Sequence, residues 1–318
     1  MPKRRFEYEK YGALFALAAL FIISSFASPY FLQVQNILNI LRQISYTGII
    51  ALGMTFVIIS GGIDLSVGSM TALVGGVTIM TLNGAMSSLG EVQAIVLACV
   101  VAVLFGAALG AANGILVSKG GIAPFIVTLG TMSIFRSLTL YIGEAGEFRS
   151  NSYMYPELGM GRFLGVPIPV WVFIGMALLY SLILRKTRYG RYTCAVGSNE
   201  KVAKYSAIKT NLIKFMSYTL VGASVGVTAI FLSSRLNSIS STNAGNGYEL
   251  DAIAAVIIGG TSLAGGSGAI WGTVIGAIIL GIINNMLNML GVSPYLQGTV
   301  KGLVIIGAVL IQRGRRNK

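Results

Sequence analysis

The sequence predicts an all-α polytopic membrane protein: one transmembrane domain, residues 1–318, with about ten transmembrane helices and internal glycine-rich broken-helix repeats. Of the 318 residues, 54% are hydrophobic and only 10% are charged, which is typical of chains whose solvent is lipid. Apolar runs recur along the whole chain, and a glycine-rich polar break occurs in each half. These observations indicate membrane-crossing helices with a polar route between them.

Ten apolar runs of about 15 to 25 residues are long enough, or nearly so, to cross a hydrocarbon core roughly 30 Å thick. They are 11–27, 44–60, 65–82, 92–117, 122–142, 168–184, 212–232, 250–264, 268–290 and 298–312. Lys3, Arg4 and Arg5 precede the first run, as in a signal peptide. The nine later runs and Pro29 beside any cleavage point favour an uncleaved anchor.

The net charge of +13 is distributed as in a multi-pass membrane protein, so no nucleic-acid partner is expected. Most of the 23 Lys and Arg residues lie on the side of the N-terminus: Lys3, Arg4, Arg5, Lys10, Lys119, the basic residues between Arg185 and Lys214, Arg313, Arg315, Arg316 and Lys318. The other side holds Arg42, Arg149, Arg162 and Arg235. In membrane proteins, Lys and Arg residues are enriched in cytoplasmic loops. Both termini and the loop 185–214 are therefore predicted to be cytoplasmic.

The residue inventory argues against an enzyme. The chain has no histidine, its two cysteines are Cys99 and Cys194, and it lacks the phosphate-binding loop of nucleotide hydrolases. No paired carboxylates or nucleophile–base pair lie in the apolar runs. We therefore expect no catalytic residue, no metal site and no cofactor in this chain, and any nucleotide must be hydrolysed by another polypeptide.

Two glycine breaks are the candidate translocation pathway. The segment 61–69 reads GGIDLSVGS, and 198 residues further along GGTSLAGGS repeats its glycines, with Ser262 in the place of Asp64. Non-helical backbone at membrane depth is tolerated only inside protein or beside a water-filled cavity. The first break supplies Gly61, Gly62, Asp64, Ser66, Gly68 and Ser69, and the second supplies Gly259, Gly260 and Ser262. The cation distribution implies parallel copies, whereas an inverted pair would need a re-entrant hairpin.

Each polar candidate in the spans has a structural alternative. Asp64 can cap a helix that begins at Leu65, take part in the pathway, or do both. Asn284, Asn285 and Asn288 form a polar face on the ninth run, suited either to sugar hydroxyls or to hydrogen bonds between helices.

Small residues at four-residue spacing mark close helix contacts. Gly106, Gly110 and Gly114 share one helix face, as do Gly268, Gly272 and Gly276. Such faces allow two backbones to approach closely in lipid. Packing within one subunit is the default interpretation, and a dimer seam is the alternative.

On the outer side, the segment Asn246–Glu249 resembles a capping box at the start of the eighth run, with Asp251 in the first turn. The alternative is that this acidic start faces outward, with Glu144, Glu147 and Glu157, and docks another protein. The candidate docking residues are Glu144, Arg149, Arg162, Arg235, Glu249 and Asp251.

The cytoplasmic loop 185–214 contains a candidate short amphipathic helix. Asn199 is predicted to cap a helix from Glu200 to about Ile208. Its less polar positions are Val202, Ala203, Ser206, Ala207 and Ile208, which alternate with lysines. Such a helix can lie on lipid headgroups or fit a groove on a soluble motor subunit, and spacing leaves both open.

Several motifs together resemble the permeases of bacterial monosaccharide ATP-binding-cassette (ABC) importers. They are GGIDLSVGS at 61–69, TRYGRY at 187–192, GSNE at 197–200, YELDAIAA at 248–255 and GGTSLAGG at 259–266. The resemblance runs from about Asn36 to Val309. It implies a subunit of the bacterial inner membrane that imports ribose or a related sugar by alternating access.

The resemblance also implies the partners. They are a second permease subunit, expected as a homodimer, a cytoplasmic ABC ATPase that uses ATP and Mg, a periplasmic or lipid-anchored sugar-binding protein, and membrane lipids. By the same resemblance, the segment Asn199–Ile208 is the coupling helix that docks on the ATPase. An ion-coupled secondary transporter and a passive channel for a small polar solute are the alternatives.

The sequence departs from the family pattern in three places. Ala207 stands where the family usually has the glycine of Ser-Gly-Ile. The outer segment Ser241–Gly245 lacks the proline of the usual Pro-Thr-Ala-Gly run. Ser137 replaces a glycine that commonly follows the Phe-Arg pair. The second departure bears on the choice of sugar, because that segment faces the delivery side.

Overall fold

The computed structural model describes residues 5–316, with side chains for 12–293, 295–304, 306 and 307. Over that range the helices are α1 (Arg5–Ala27), α2 (Val34–Ile59), α3 (Val67–Leu89), α4 (Glu91–Ser118), α5 (Pro124–Ile142), α6 (Pro156–Met160), α7 (Ile168–Lys186), α8 (Arg188–Ser198), α9 (Glu200–Tyr205), α10 (Thr210–Leu236), α11 (Tyr248–Ile258), α12 (Ile270–Met289) and α13 (Pro294–Arg316). The strands are β1 (Glu147–Arg149), β2 (Arg162–Phe163), β3 (Val166–Pro167) and β4 (Ser238–Ser240). Lys3, Arg4 and Lys318, which were used to predict the orientation, lie outside the described residues.

The all-α membrane class is confirmed. Within the described residues, seven helices are long and apolar enough to cross a membrane: α2, α3, α4, α5, α7, α10 and α12. In α1 the apolar part is shorter, Gly12–Ala27. Helix α13 covers the predicted run 298–312.

The predicted eighth span, 250–264, is wrong in its extent. Helix α11 has 11 residues and ends at Ile258. At 1.5 Å per residue it is about 16 Å long, roughly half of the hydrocarbon core. The predicted run included the glycine break at 259–264, GGTSLA, where the helix in fact ends. Helix α11 is a half-helix.

Helix α2 is the centre of the bundle. Every residue from Gly48 to Ile59 is buried, because α2 is surrounded by α7, α10, α11 and α12. A helix that is apolar on all sides is suited to this position.

The first glycine ladder joins α4 to α10. A β-carbon on Gly110 would collide with the carbonyl oxygen of Tyr218, and one on Gly106 with that of Gly222. The second ladder joins α12 to α11: β-carbons on Gly272 and Gly276 would meet backbone atoms of α11 or of Gly259, directly after its end. Packing within one subunit is therefore confirmed for both ladders, but Gly268 precedes α12 and does not share a helix face with Gly272 and Gly276.

The two ends of α10 carry different structures. At its C-terminal end, β4 pairs antiparallel with β1, and Phe148 lies opposite Ile239. The buried Tyr155 lies beside this end, with its hydroxyl 2.6 Å from Ser233 Oγ. At the N-terminal end of α10 lie α8 and α9, and the Tyr189 hydroxyl is 2.8 Å from Ser217 Oγ. Burial raises the pKa of Tyr189 to about 12, so that hydroxyl stays protonated at neutral pH.

Candidate translocation pathway and coupling site

The first glycine break terminates α2. Gly61 has a φ of 84°. The Gly61 N–H donates to the Ile58 carbonyl and the Gly62 N–H to the Val57 carbonyl, which is a Schellman motif. The Tyr218 hydroxyl, on α10, donates to the Ile63 carbonyl over 3.0 Å. These bonds satisfy backbone groups at the end of the helix within the protein, as membrane depth requires.

Asp64 is fully buried in this break. One carboxylate oxygen accepts from the Ser66 N–H at 2.8 Å and from Ser66 Oγ at 2.6 Å. The other accepts from Asn113 Nδ2 at 3.3 Å, and Asn113 also donates to Ser66 Oγ at 2.9 Å. Asn113 lies on α4, 49 residues away along the chain, and sequence analysis missed it.

The prediction that Asp64 caps a helix starting at Leu65 is wrong. Helix α3 begins at Val67, with Ser66 as its N-cap residue. Asp64 instead accepts from the backbone two residues on, in an Asx turn. Its carboxylate shapes the turn between α2 and α3 and does not line the polar cavity described below.

The second glycine break repeats the geometry of the first. Gly260 has a φ of 87°, its N–H donates to the Ile257 carbonyl, and the Thr261 N–H donates to the Val256 carbonyl. Gly260 thus corresponds in structure to Gly61, one position away from the sequence repeat. Ser262 does not take the place of Asp64. The Ser262 carbonyl accepts from the Gly265 N–H and the Ser262 N–H donates to the Ser267 carbonyl, so its backbone closes a turn of its own.

The two breaks meet in space. The Gly266 N–H donates to the Ile59 carbonyl oxygen over 2.9 Å, so the turn after α11 rests on the last residue of α2. Gly197, near the end of α8, packs against this hydrogen bond. A β-carbon added to Gly197 would collide with the Ile59 carbonyl oxygen and would lie 2.5 Å from the Gly266 nitrogen. Because α2 and α11 both end here, the two helices run in the same direction, as the parallel interpretation requires.

The helix predicted after Asn199 exists but is shorter than expected. Asn199 Oδ1 accepts from the Val202 N–H at 3.1 Å, which confirms the cap. Helix α9 ends at Tyr205, so Ser206, Ala207 and Ile208 form the turn that follows. Ala203 is buried against Val196 and Ile213.

Of the five predicted positions, Val202, Ser206 and Ala207 are exposed, Ile208 is half-buried and Ala203 is buried. Val202 is 57% exposed and Tyr205 is 90% exposed. Ala203 faces the protein interior and cannot contact a partner directly.

Ala207 has left-handed backbone geometry, with a φ of 59°. The Ala207 N–H donates to the Lys204 carbonyl, and the Ile208 N–H donates to the Ala203 carbonyl, in another Schellman motif. This position usually favours glycine, because a β-carbon destabilises the left-handed region. The departure from the family pattern therefore coincides with local backbone strain.

A non-helical segment, residues 241–247, precedes α11. Gly68, in the first turn of α3, packs backbone to backbone against the buried Gly245, since a β-carbon on either would collide with the carbonyl oxygen of the other. Helix α3 leads from this contact towards β1 and β4, whereas α11 leads towards Gly197. The N-terminal ends of two helices thus meet inside the bundle.

Arg136, on α5, holds the non-helical segment 241–247. Its guanidinium donates to the Ser241 carbonyl at 3.0 Å, to the Ala244 carbonyl at 2.8 Å and to Asn246 Oδ1 at 2.7 Å. The predicted capping box is therefore wrong: Gly247 is the N-cap residue of α11, with no side-chain cap, and Asn246 binds Arg136 instead.

A polar cavity of about 130 Å³ lies between α2, α11, α12 and α13. Asn284 and Asn288, both predicted for the pathway, line it, and Asn284 Oδ1 is buried without a hydrogen-bond partner among the described residues. Its other lining residues are Gln43, Ile44, Thr47, Asn246, Tyr248, Asp251, Leu280, Gly281, Gln297 and Lys301. Asn285 points elsewhere, to Asn36 at 2.8 Å, and joins α12 to α2.

An ion pair forms part of the cavity wall. Lys301 Nζ lies 2.9 Å from Asp251 Oδ2, and both side chains are largely buried. Asp251 therefore lies inside the bundle, and the prediction that it faces outward is wrong, whereas Glu249 is half-buried. Glu144, Arg149, Arg162 and Arg235 are exposed, as docking residues must be.

The described residues contain no group of three or more His, Cys, Asp or Glu side chains that could hold a metal ion. Ser69 is buried in the first turn of α3, and Gly259 packs against Gly272. The geometry thus offers buried amides, a polar cavity and a backbone junction between broken helices.

Residues 36–309 match the family described as "Branched-chain amino acid transport system / permease component". The chain belongs to this permease family. It is 46% identical over 307 residues to the ribose import permease protein RbsC of Bacillus subtilis (strain 168), an alignment that covers 96% of this chain and 93% of that protein.

Two other relatives are permease proteins of Escherichia coli (strain K12). The D-allose transport system permease protein AlsC is 40% identical over 307 residues, which covers 96% of this chain and 92% of that protein. The L-arabinose transport system permease protein AraH is 33% identical over 316 residues, which covers 98% and 94%. No solved structure matches the chain significantly.

The range matched by the permease family begins within α2 and ends within α13. It contains both glycine breaks, the loop with α8 and α9, and the polar cavity. Helix α1 lies outside it.

Proposed function

We propose that this permease is the membrane subunit of an ABC importer for a monosaccharide, with ribose or a related sugar as its solute. The support is the set of relatives aligned over nearly their whole length, whose names assign them to ribose, D-allose and L-arabinose transport. The chain provides the pathway, and a separate ATPase provides the energy from ATP and Mg.

The proposed topology has ten spans with both termini and the loop 185–214 in the cytoplasm of a bacterial cell. The distribution of Lys and Arg supports it, because most of these residues lie on the same side of the predicted spans as the N-terminus. The placement of α9 and of β1–β4 at opposite ends of α10 is consistent with one end in the cytoplasm and the other in the periplasm.

The junction of Ile59, Gly197 and Gly266 is the observation that carries the mechanism. Gly197 precedes the α9 cap residue, Asn199, by two positions, and it contacts both glycine breaks. A displacement of α9 by the ATPase is therefore transmitted to the ends of α2 and α11 without an intervening side chain. Helix α9 acts as the coupling helix, and the two broken helices respond as a unit.

The polar cavity is the proposed contact site for the solute. Amide side chains donate and accept hydrogen bonds and therefore suit the hydroxyl groups of a sugar. Asn284, Asn288 and Gln297 supply amides from two helices, and Thr47 supplies a hydroxyl. The unpartnered Asn284 Oδ1 can accept a hydrogen bond from the solute.

The proposed assembly contains two copies of this chain, an ATPase on the cytoplasmic side and a sugar-binding protein on the periplasmic side. The exposed charges at the outer end, Glu144, Arg149, Arg162 and Arg235, form the proposed docking surface for that binding protein. Each permease copy switches between inward-open and outward-open states that the two partners bias.

The experiment is a Val202→Asp substitution on the exposed face of α9. An acidic residue in the first turn of a helix is tolerated, so α9 should still fold. We expect the variant to insert normally but to lose co-purification with the ATPase and ATP-driven sugar uptake in proteoliposomes. Tyr153→Asp, at an exposed position at the opposite end, is the control and should keep the ATPase bound. Normal uptake by Val202→Asp would contradict the proposal.

A further inference from the structure

A large cleft lies beside α9, away from the polar cavity and from the two glycine breaks. Its volume is about 610 Å³, within the range of roughly 300–1,000 Å³ usual for ligand pockets. It lies between the end of α4, the turn after α9 and the start of α10. The lining residues are Ile115, Ser118, Lys119, Lys204, Ile208, Lys209, Thr210, Asn211, Leu212 and Phe215.

The cleft is amphipathic. Ile115, Ile208, Leu212 and Phe215 form an apolar floor, whereas the charged lining residues are all lysines: Lys119, Lys204 and Lys209. None of the three ammonium groups makes an ion pair or a hydrogen bond with the described residues. Glu200, the acidic residue of this loop, is held by Lys214 at 2.6 Å. The positive charge of the cleft is therefore uncompensated.

The location of the cleft determines which molecules can reach it. Its floor continues into the exposed apolar surface of α4, where Ile115 is 44% and Leu116 is 41% exposed. The N-terminus of α10 also opens into it, with no acidic residue in its first turn and no side-chain cap. A helix N-terminus carries partial positive charge and favours an anion.

We propose that this cleft binds an anionic phospholipid of the cytoplasmic leaflet. The phosphate lies among the three lysines, and an acyl chain lies along Ile115 and Leu116. Basic pockets between membrane helices at the cytoplasmic surface are suited to anionic headgroups. The assignment to that leaflet rests on the topology given under the proposed function.

A protein occupant fits these observations less well. The exposed residues of α9 that can meet the ATPase, Val202 and Tyr205, do not line the cleft. The apolar floor belongs mainly to α4 and α10, two helices long and apolar enough to cross the membrane, so it lies at the level where acyl chains are available. The bound lipid would brace the turn after α9 against α4 and α10.

The test uses the full-length chain in nanodiscs, without sugar, ATP or other subunits. Phe215→Trp places a fluorescent reporter on the cleft floor, and the signal of the parent protein, from Trp171 and Trp271, is subtracted. Nanodiscs of phosphatidylcholine receive rising fractions of brominated phosphatidylglycerol or brominated phosphatidylcholine. We expect the anionic lipid to quench the reporter at a mole fraction lower by on the order of tenfold.

Two charge-matched variants of the reporter protein locate the effect. Lys119→Gln/Lys204→Gln/Lys209→Gln should abolish the preference for the anionic lipid. Lys186→Gln/Arg188→Gln/Lys201→Gln removes the same charge from the same loop region outside the cleft and should keep it. Lys119→Gln alone, outside the 185–214 loop, should weaken the preference if the triple variant does not fold.

Two outcomes of this assay would overturn the proposal: equal quenching by both lipids, or an unchanged preference in the cleft variants. A third would come from a separate set of the same nanodiscs to which the ATPase alone is added: displacement of the brominated lipid there would make the cleft a protein interface. Since the assay contains no transport step, a failure of sugar uptake with an intact lipid preference would contradict only the proposed function.

Discussion

The N–H of Gly266 donates a 2.9 Å hydrogen bond to the carbonyl oxygen of Ile59. This bond joins the end of α2 to the turn after α11, so the two glycine breaks are one structural unit. Gly197 fits against both partners because it has no side chain. The loop that carries α9 therefore touches the broken helices through backbone atoms.

Gly197→Ala tests this contact. Gly197 lies in α8, where alanine is favoured over glycine by intrinsic propensity, so a loss of stability reports the collision. We expect a destabilisation of about 1–3 kcal/mol, the usual cost of overpacking, together with impaired sugar-stimulated ATPase activity of the complex. Thermal unfolding in detergent gives the stability.

The matched control for Gly197→Ala is Gly130→Ala in α5, where an added β-carbon meets nothing within 4 Å. It should leave stability unchanged or raise it slightly. Equal stability of both variants would show that the close contact at Gly197 is not required.

Ala207→Gly should stabilise the loop 185–214. The left-handed φ of 59° disfavours alanine by roughly 1–2 kcal/mol, a cost that glycine does not have. Part of this gain is offset by the greater freedom of glycine in the unfolded chain, so the expected net gain is up to about 1 kcal/mol. Slower proteolysis within 185–214 and a higher unfolding temperature are the measurements.

The control is Ala195→Gly, at a regular helical position of α8, which should cost about 1 kcal/mol. Faster proteolysis of Ala207→Gly than of the parent protein would show that the turn does not hold this geometry.

Asp64 can be separated into its structural and transport roles by two substitutions. Asp64→Asn keeps a side-chain oxygen for the Ser66 N–H but loses the acceptor of the 3.3 Å bond from Asn113 Nδ2, so it should cost about 1 kcal/mol. Asp64→Leu removes the acceptor of the buried Ser66 N–H and leaves Asn113 Nδ2 with Ser66 Oγ as its remaining partner, so it should destabilise by about 1–3 kcal/mol. Unfolding and sugar uptake are measured for both.

Full uptake by Asp64→Asn would confirm that the carboxylate acts through the turn. Stable, folded Asp64→Asn protein without uptake would instead show that the charge itself is needed.

The Asp251–Lys301 ion pair predicts strong coupling in a double-mutant cycle. Removing one partner leaves a buried charge unpaired, so Lys301→Met should cost about 3–5 kcal/mol. Asp251→Asn/Lys301→Met removes both charges and should be more stable than Lys301→Met alone. If the effects of the single substitutions simply add, the pair is not formed in the folded protein.

Local features were predictable from the sequence. The Asn199 cap depends on one side chain and a backbone N–H three residues away, and it was predicted correctly. The Gly106 and Gly110 face was also interpreted correctly, because four-residue spacing determines a helix face whatever the partner is.

Features that depend on distant parts of the chain were not predictable. Asn113 meets Asp64 across 49 residues, and Arg136 meets Asn246 across 110, so neither contact leaves a local pattern. The capping box at Asn246 was plausible locally, but a guanidinium from another helix binds that side chain more strongly. The end of α11 was missed because the predicted span counted the glycine break at 259–264 as helix.

Uptake of radiolabelled ribose into proteoliposomes tests the central claim that this permease is a passive gate moved by a separate ATPase. One set contains the permease alone with proton and sodium gradients, and the other adds the ATPase, the sugar-binding protein and ATP. The account predicts accumulation only in the second set, and its loss in the Val202→Asp variant. Accumulation by the permease alone would contradict it.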